Sequence, residues 1–141
     1  PADVAGPVST QSEVSRGLAF GDFDNDGAPD LLMTQAGSPA RLLRNVAGEG
    51  QNWIAILASE PDNRRDAIGA LVSVKADGHV QHRQVQTGYS YLVANDPRVH
   101  FGLGKSNVVE VKIHWPDGTV EDFGQQTVNQ YHTLVRGMAR K

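Results

Sequence analysis

Residues Val109, Val111, Ile113 and Trp115 fall on one phase of a two-residue alternation, with Glu110, Lys112 and His114 on the other. Side chains of period two belong to a β-strand with one face in a core, so this segment admits a half-buried strand and little else. Ile68, Ala70, Val72 and Val74 repeat the pattern, as do Val99, Phe101 and Leu103. Asp77-Gly78 and Asp117-Gly118 supply tight turns between such runs. Fifteen glycines and seven prolines interrupt the chain every several residues, and few windows sustain the three-and-four spacing of a helix. The expected fold class is therefore all-β.

Two units are expected. Residues 1–16 are polar, with little to bury, and read as a disordered lead-in. Residues 17–48 hold three short strand candidates, Leu18 to Phe20, Asp30 to Thr34 and Ala40 to Asn45. After the break at Gly48-Glu49-Gly50, residues 51–137 hold the alternating runs above together with Trp53 to Leu57, Val80 to Thr87, Thr119 to Phe123 and Tyr131 to Val135. About seven strands in this second unit predict a small antiparallel sandwich or barrel.

The chemistry is concentrated in Asp22-Phe23-Asp24-Asn25-Asp26-Gly27-Ala28-Pro29-Asp30, where carboxylates occupy loop positions 1, 3, 5 and 9. Four acids so close repel one another unless a cation sits among them. Hard oxygen donors in flexible geometry suit Ca²⁺ better than Mg²⁺, which demands a stricter octahedron. Asp22, Asp24, Asp26 and Asp30 are the expected carboxylate ligands, and Gly27 permits the reversal that turns the Ala28 carbonyl inward as a fifth. An EF-hand opens in the same way, yet it requires a bidentate Glu at position 12, which here is Met33. Pro29 and the strand-like Leu31 to Thr34 also exclude an exiting helix.

The segment Leu18-Ala19-Phe20-Gly21 through Asp30-Leu31 resembles the FG-GAP or VCBS repeat, a calcium-bearing blade of β-propellers. The second unit is similar to the ASPIC/UnbV domain. That similarity is carried by Asn63-Arg64-Arg65-Asp66-Ala67-Ile68-Gly69-Ala70, Gly88-Tyr89-Ser90-Tyr91-Leu92, Val99-His100-Phe101-Gly102-Leu103-Gly104 and Trp115-Pro116-Asp117-Gly118. The resemblance implies one partial propeller-type blade ahead of the β-domain, and hence either a fragment of a longer repeat protein or a last blade without its ring. It implies adhesion and secretion by analogy, and no enzymatic reaction. A single blade leaves strand edges open, which predicts dimerisation, strand exchange or partial disorder within residues 1–50.

Other classes fare less well. The formal charge is −3 with Lys and Arg scattered, so nucleic acid is not an expected partner. No apolar run reaches the roughly 20 residues that span a bilayer, Pro1 to Ser12 lacks a charged segment followed by an apolar one, and cysteine is absent. His100 and His114 both sit opposite the apolar phase of their strands and could share a surface, though with no third metal ligand in view. Ser90 lies between two tyrosines without a nucleophile elbow. Tyr89, Tyr91 and Trp115 offer either core packing or a flat platform for sugar or peptide. Asn63-Arg64-Arg65-Asp66 offers guanidiniums to a carboxylate partner or an ordinary solvated turn. The expected function is a non-catalytic, calcium-binding module for a protein or glycan ligand, secreted or held at the cell surface or in the periplasm, where calcium is millimolar. The alternative is an enzyme or accessory protein of natural-product biosynthesis, which an apolar pocket with convergent polar groups would favour.

Overall fold

A computed structural model of the chain describes residues 12–47, 50–62 and 65–139. Ten strands form three sheets, with no helix among the described residues, and hence none long and apolar enough to cross a membrane. The first sheet contains β1 (Ser15–Gly21), β2 (Asp30–Gln35) and β3 (Arg41–Leu43), antiparallel with β2 in the middle. The second unit holds β4 (Asn52–Ser59), β5 (Leu71–Ala76), β6 (His79–Gln84), β7 (Val99–Gly104), β8 (Val109–His114), β9 (Val120–Gln126) and β10 (Gln130–Val135). These seven strands make two open sheets, β10-β4-β7 and β6-β5-β8-β9. The arrangement is a sandwich and not a closed barrel.

Period-two patterning fills the space between those sheets. Val109, Val111 and Ile113 of β8 are fully buried while Lys112 and His114 face solvent. They meet Val72 and Val74 of β5 and, across the core, Ile54, Ile56 and Phe101. Each such side chain contributes roughly 1.5–3 kcal/mol when removed from water. Trp115 continues the inner face of β8 and is 2% exposed, which settles it as core. Asp77 and Gly78 take φ of 47° and 80°, the left-handed pair that a two-residue hairpin turn requires.

Three features depart from the sequence reading. Ile68 is not in phase with Val72: Ala70 N–H bonds the Ala67 carbonyl at 2.9 Å, so residues 67–70 turn, Ala67 is buried and Ile68 is half exposed. β10 pairs with β4 in parallel, Tyr131 opposite Ala55, so one pair of the sandwich is not antiparallel. His100 and His114 lie in different sheets, β7 and β8, and point away from the shared core on opposite sides, so they form no common surface. Asn63 and Arg64 lie outside the described residues; Asp66 forms a lone bridge with Ser59.

β1 would present an unpaired edge, and the loop after β6 covers part of it. Leu18 N–H donates to Ser90 Oγ at 3.2 Å and Phe20 N–H to Asn95 Oδ1 at 2.7 Å. Asn95, 4% exposed, is held in turn by the Thr87 carbonyl. Ser90 is thus employed as an edge cap. These bonds, and the packing of Gly17 against Val93 and the Tyr91 carbonyl, seat the first sheet on the sandwich.

Candidate metal centre

The β1–β2 register places Gly21 opposite Asp30, so the chain leaving β1 at Asp22 returns to its own starting point eight residues later. Positive φ at Asn25 (57°) and Gly27 (91°) makes the reversal. Carboxylates then replace the missing strand partners of the loop amides. Asp22 accepts from Gly27 N–H at 2.7 Å and Asp26 N–H at 3.1 Å, and Asp26 accepts from Ala28 N–H at 2.9 Å. Asp30, 3% exposed, closes the loop by accepting from Phe23 N–H at 3.1 Å and Asn45 N–H at 2.7 Å.

These bonds converge the acids. Asp22, Asp24 and Asp30 each offer one oxygen, all within 4.8 Å of one another. Oxygens on opposite sides of a Ca²⁺ ion lie about 4.6–5.2 Å apart, so one ion can span this set. Asp26 stands slightly aside. Its carboxylate takes Arg44 at 2.9 Å, and Asp24 takes the same guanidinium at 2.7 Å. The Ala28 N–H bond, and secondarily Arg44, hold the Asp26 carboxyl below its ordinary range. The same two acids raise the Arg44 pKa in return. The protein therefore carries a cation of its own at the outer rim of the loop. Ala28 is half-buried within the turn.

The inner side of the loop rests on the sandwich, a relation that no local pattern in the sequence announced. Gly27 lies so close to Trp53 that a Cβ there would be 1.9 Å from the indole nitrogen. Trp53 stacks on His100, with centroids 5.7 Å apart and planes 20° apart, and meets Tyr131 edge-on at 5.0 Å. His100 Nε2 is 2.6 Å from the Gly27 carbonyl, and since a carbonyl only accepts, that nitrogen carries the proton. Burial lowers the His100 pKa, the Gly27 bond opposing it, and the ring is neutral near pH 7. The Tyr131 hydroxyl donates to Asp22; burial first, then this bond, raises its pKa. Arg98, paired with Asp96, lies over the Tyr131 ring with its guanidinium carbon 4.4 Å from the centroid. The platform is thus Trp53, His100 and Tyr131. Tyr89 packs instead on Phe20 at 5.0 Å, and Tyr91 is exposed.

Comparison with known proteins adds to this geometry. The model of the family described as ASPIC and UnbV matches residues 60–141, the greater part of the chain. Cartilage acidic protein 1 of Homo sapiens is 34% identical over 105 residues, covering 69% of this chain and 15% of that protein. Its Xenopus tropicalis counterpart is 30% identical over 120 residues, covering 82% of this chain and 18% of that protein. The Mus musculus protein is 33% identical over 105 residues, 69% of this chain and 16% of its own length. The chain thus spans less than a fifth of each of these relatives. The family match begins after the acidic loop and Trp53, and includes His100 and Tyr131. An alignment over 82% of the chain must extend upstream of residue 60.

Proposed function

The chain belongs to the ASPIC and UnbV family, and from that premise we propose that it is a non-catalytic, calcium-ordered binding module acting outside the cytoplasm. In this reading residues 17–48 are the FG-GAP/VCBS-like unit, whose first strand already begins at Ser15, within the stretch 1–16 expected to be a lead-in. Residues 51–137 are the ASPIC/UnbV-like domain against which the unit is locked. Asp22, Asp24, Asp26, Asp30 and the Ala28 carbonyl would hold calcium, which would take over from Arg44 the neutralising of Asp24 and Asp26. The domain then presents its surface to a protein or glycan.

The observation that carries the reading is the convergence of Asp22, Asp24 and Asp30 oxygens within 4.8 Å on a loop whose other side is fixed by Trp53, His100 and Tyr131. A cation on such a loop does structural work: it removes mutual repulsion among the acids and so favours the docked arrangement. Relatives named for cartilage support a place outside the cell, where millimolar calcium suits a site of modest affinity.

The test is calorimetric titration of Ca²⁺ into chelator-stripped protein, with Asp24→Ala and Asp26→Ala alongside. One saturable site, weakened or lost in both variants, is expected. Melting should rise with calcium, by about 2.7 kcal/mol of added stability at a hundredfold excess over Kd. Absence of binding to the intact chain, or undiminished binding to both variants, refutes the reading.

A further inference from the structure

A second site lies behind the acidic loop, where the first sheet leans over the sandwich. The cavity there encloses about 550 Å³, within the range that small-molecule sites occupy. One wall is apolar: Phe20 and Tyr89, ring centroids 5.0 Å apart, with Pro29, Leu31 and Val99. Arg83 also lines the cavity, and its placement is unusual. It sits on β6 directly across from Val72, a core residue, so it points to the inner side of the sandwich at its open edge. There its guanidinium lies over Phe101, 5.6 Å from the centroid, and it pairs with no carboxylate among the described residues.

The other charged groups of the cavity have hydrogen-bond partners. Arg98 is paired with Asp96, and Asp22 accepts bonds from Tyr131 and Gly27. His100 is engaged with the Gly27 carbonyl. Arg83 is therefore the one cation of the lining without a carboxylate partner among the described residues, in a cavity that also holds an aromatic and aliphatic wall, while Asp22, whose donors are neutral, keeps its negative charge. Arginine in such a setting selects a planar carboxylate by paired hydrogen bonds, and the wall selects a flat apolar body.

We propose that this cleft between the first sheet and the sandwich binds a small organic acid, an aromatic or similarly flat apolar body bearing a carboxylate, with Arg83 as its counter-charge. Asp22 belongs both to this lining and to the proposed calcium site, while Arg83 and the apolar wall belong to the cleft alone. An inward charge on an edge strand also discourages strand pairing between copies, and the experiment separates that role from ligand binding.

The probes are 2-naphthoate and 2-naphthol, equal in ring and different in charge at pH 7, titrated into the full chain in chelator-treated buffer and followed by NMR. The acid is expected to bind at least about tenfold more tightly than the naphthol, as a charge-assisted contact provides. Resonances of Tyr89, Val99 and His100 should shift. Arg83→Gln should abolish the preference while naphthol still binds, which shows the pocket intact, and Arg83→Lys should retain part of it. Equal binding of the two probes, no binding of either, or a preference that survives Arg83→Gln overturns the proposal. So do shifts confined to Leu32 and Leu42, which occupy the other face of the first sheet. A variant that aggregates yet keeps the preference assigns Arg83 to edge protection and also overturns it.

Discussion

Gly27→Ala is the most severe small change the structure offers. A Cβ at that position would lie 1.9 Å from Trp53 Nε1 and within 2.6 Å of two further indole atoms, and the residue holds φ of +91°. The left-handed backbone costs an L-residue about 1–2 kcal/mol, and forcing a methyl into a packed contact about 1–3 kcal/mol, so the docked loop loses roughly 2–5 kcal/mol. Trp53 cannot retreat cheaply, because His100 and Tyr131 close on its ring. The loop must therefore lift, carrying the Gly27–His100 and Asp22–Tyr131 bonds with it. At this chain length about 1 kcal/mol corresponds to roughly 3–6 °C in Tm, if unfolding is cooperative. Because the β4–β10 core does not depend on Gly27, we expect the loss to appear as early release of the first sheet, with the sandwich melting near its original temperature. Calorimetry together with the Trp53 indole NMR resonance, distinct from that of buried Trp115, measures both events. Gly102→Ala is the control, since nothing lies within 4 Å of a Cβ there, and it should change stability by less than about 1 kcal/mol. A Gly27→Ala protein with native melting and an unshifted Trp53 resonance would refute the docking.

Acidification should loosen the same contact. The His100 pKa is lowered in the folded protein, so its contribution is fully present above the unfolded value of about 6.5 and is lost as pH falls through the folded value. Melting between pH 7.5 and 5 should show this slope in the native chain and less of it in His100→Gln. Tyr131→Phe removes the hydroxyl donated to Asp22 and should cost about 1 kcal/mol by thermal melting; an unchanged Tm would show the bond to be idle. Arg44→Gln removes the internal cation from Asp24 and Asp26, so calcium affinity should rise by calorimetry, and a fall would mean that Arg44 assists the site. Phe101→Ala, at a fully buried position, should cost about 3–5 kcal/mol in denaturant unfolding, and a loss below 1 kcal/mol would misplace the core.

What could be read directly from the sequence was what depends on neighbours along the chain. Alternation located β7 and β8 because one face of each is buried, and Asp77-Gly78 announced its hairpin because both residues tolerate positive φ. Of the four acids whose spacing indicated one cluster, Asp22, Asp24 and Asp30 converge because strand register and a short turn bring those positions together, while Asp26 turns to Arg44. Ile68 was misplaced because Ala67 and Ala70 are both small and apolar, and periodicity does not distinguish a turn that buries two alanines from a strand. His100 was read as exposed because alternation reports which side of a strand faces away from its own core; it is silent about a second sheet arriving from outside. Trp53 and Tyr131 escaped for the same reason. Trp53 meets Gly27 and Tyr131 meets Asp22, 109 residues away, and the only sign in the sequence was the unbroken apolar run from Trp53 to Ala58, where a strand covered on one face would alternate. Arg44 lay in a strand exit with nothing to mark it until β3 placed it beside the loop.

Calcium and the sandwich are proposed to fix the acidic loop from its two sides, and amide hydrogen exchange with and without calcium reads that ordering directly. Saturating calcium is then expected to slow exchange across residues 22–30 and at Asn45, whose amide binds Asp30. Exchange across the loop that is unchanged by calcium at concentrations up to several millimolar would contradict it.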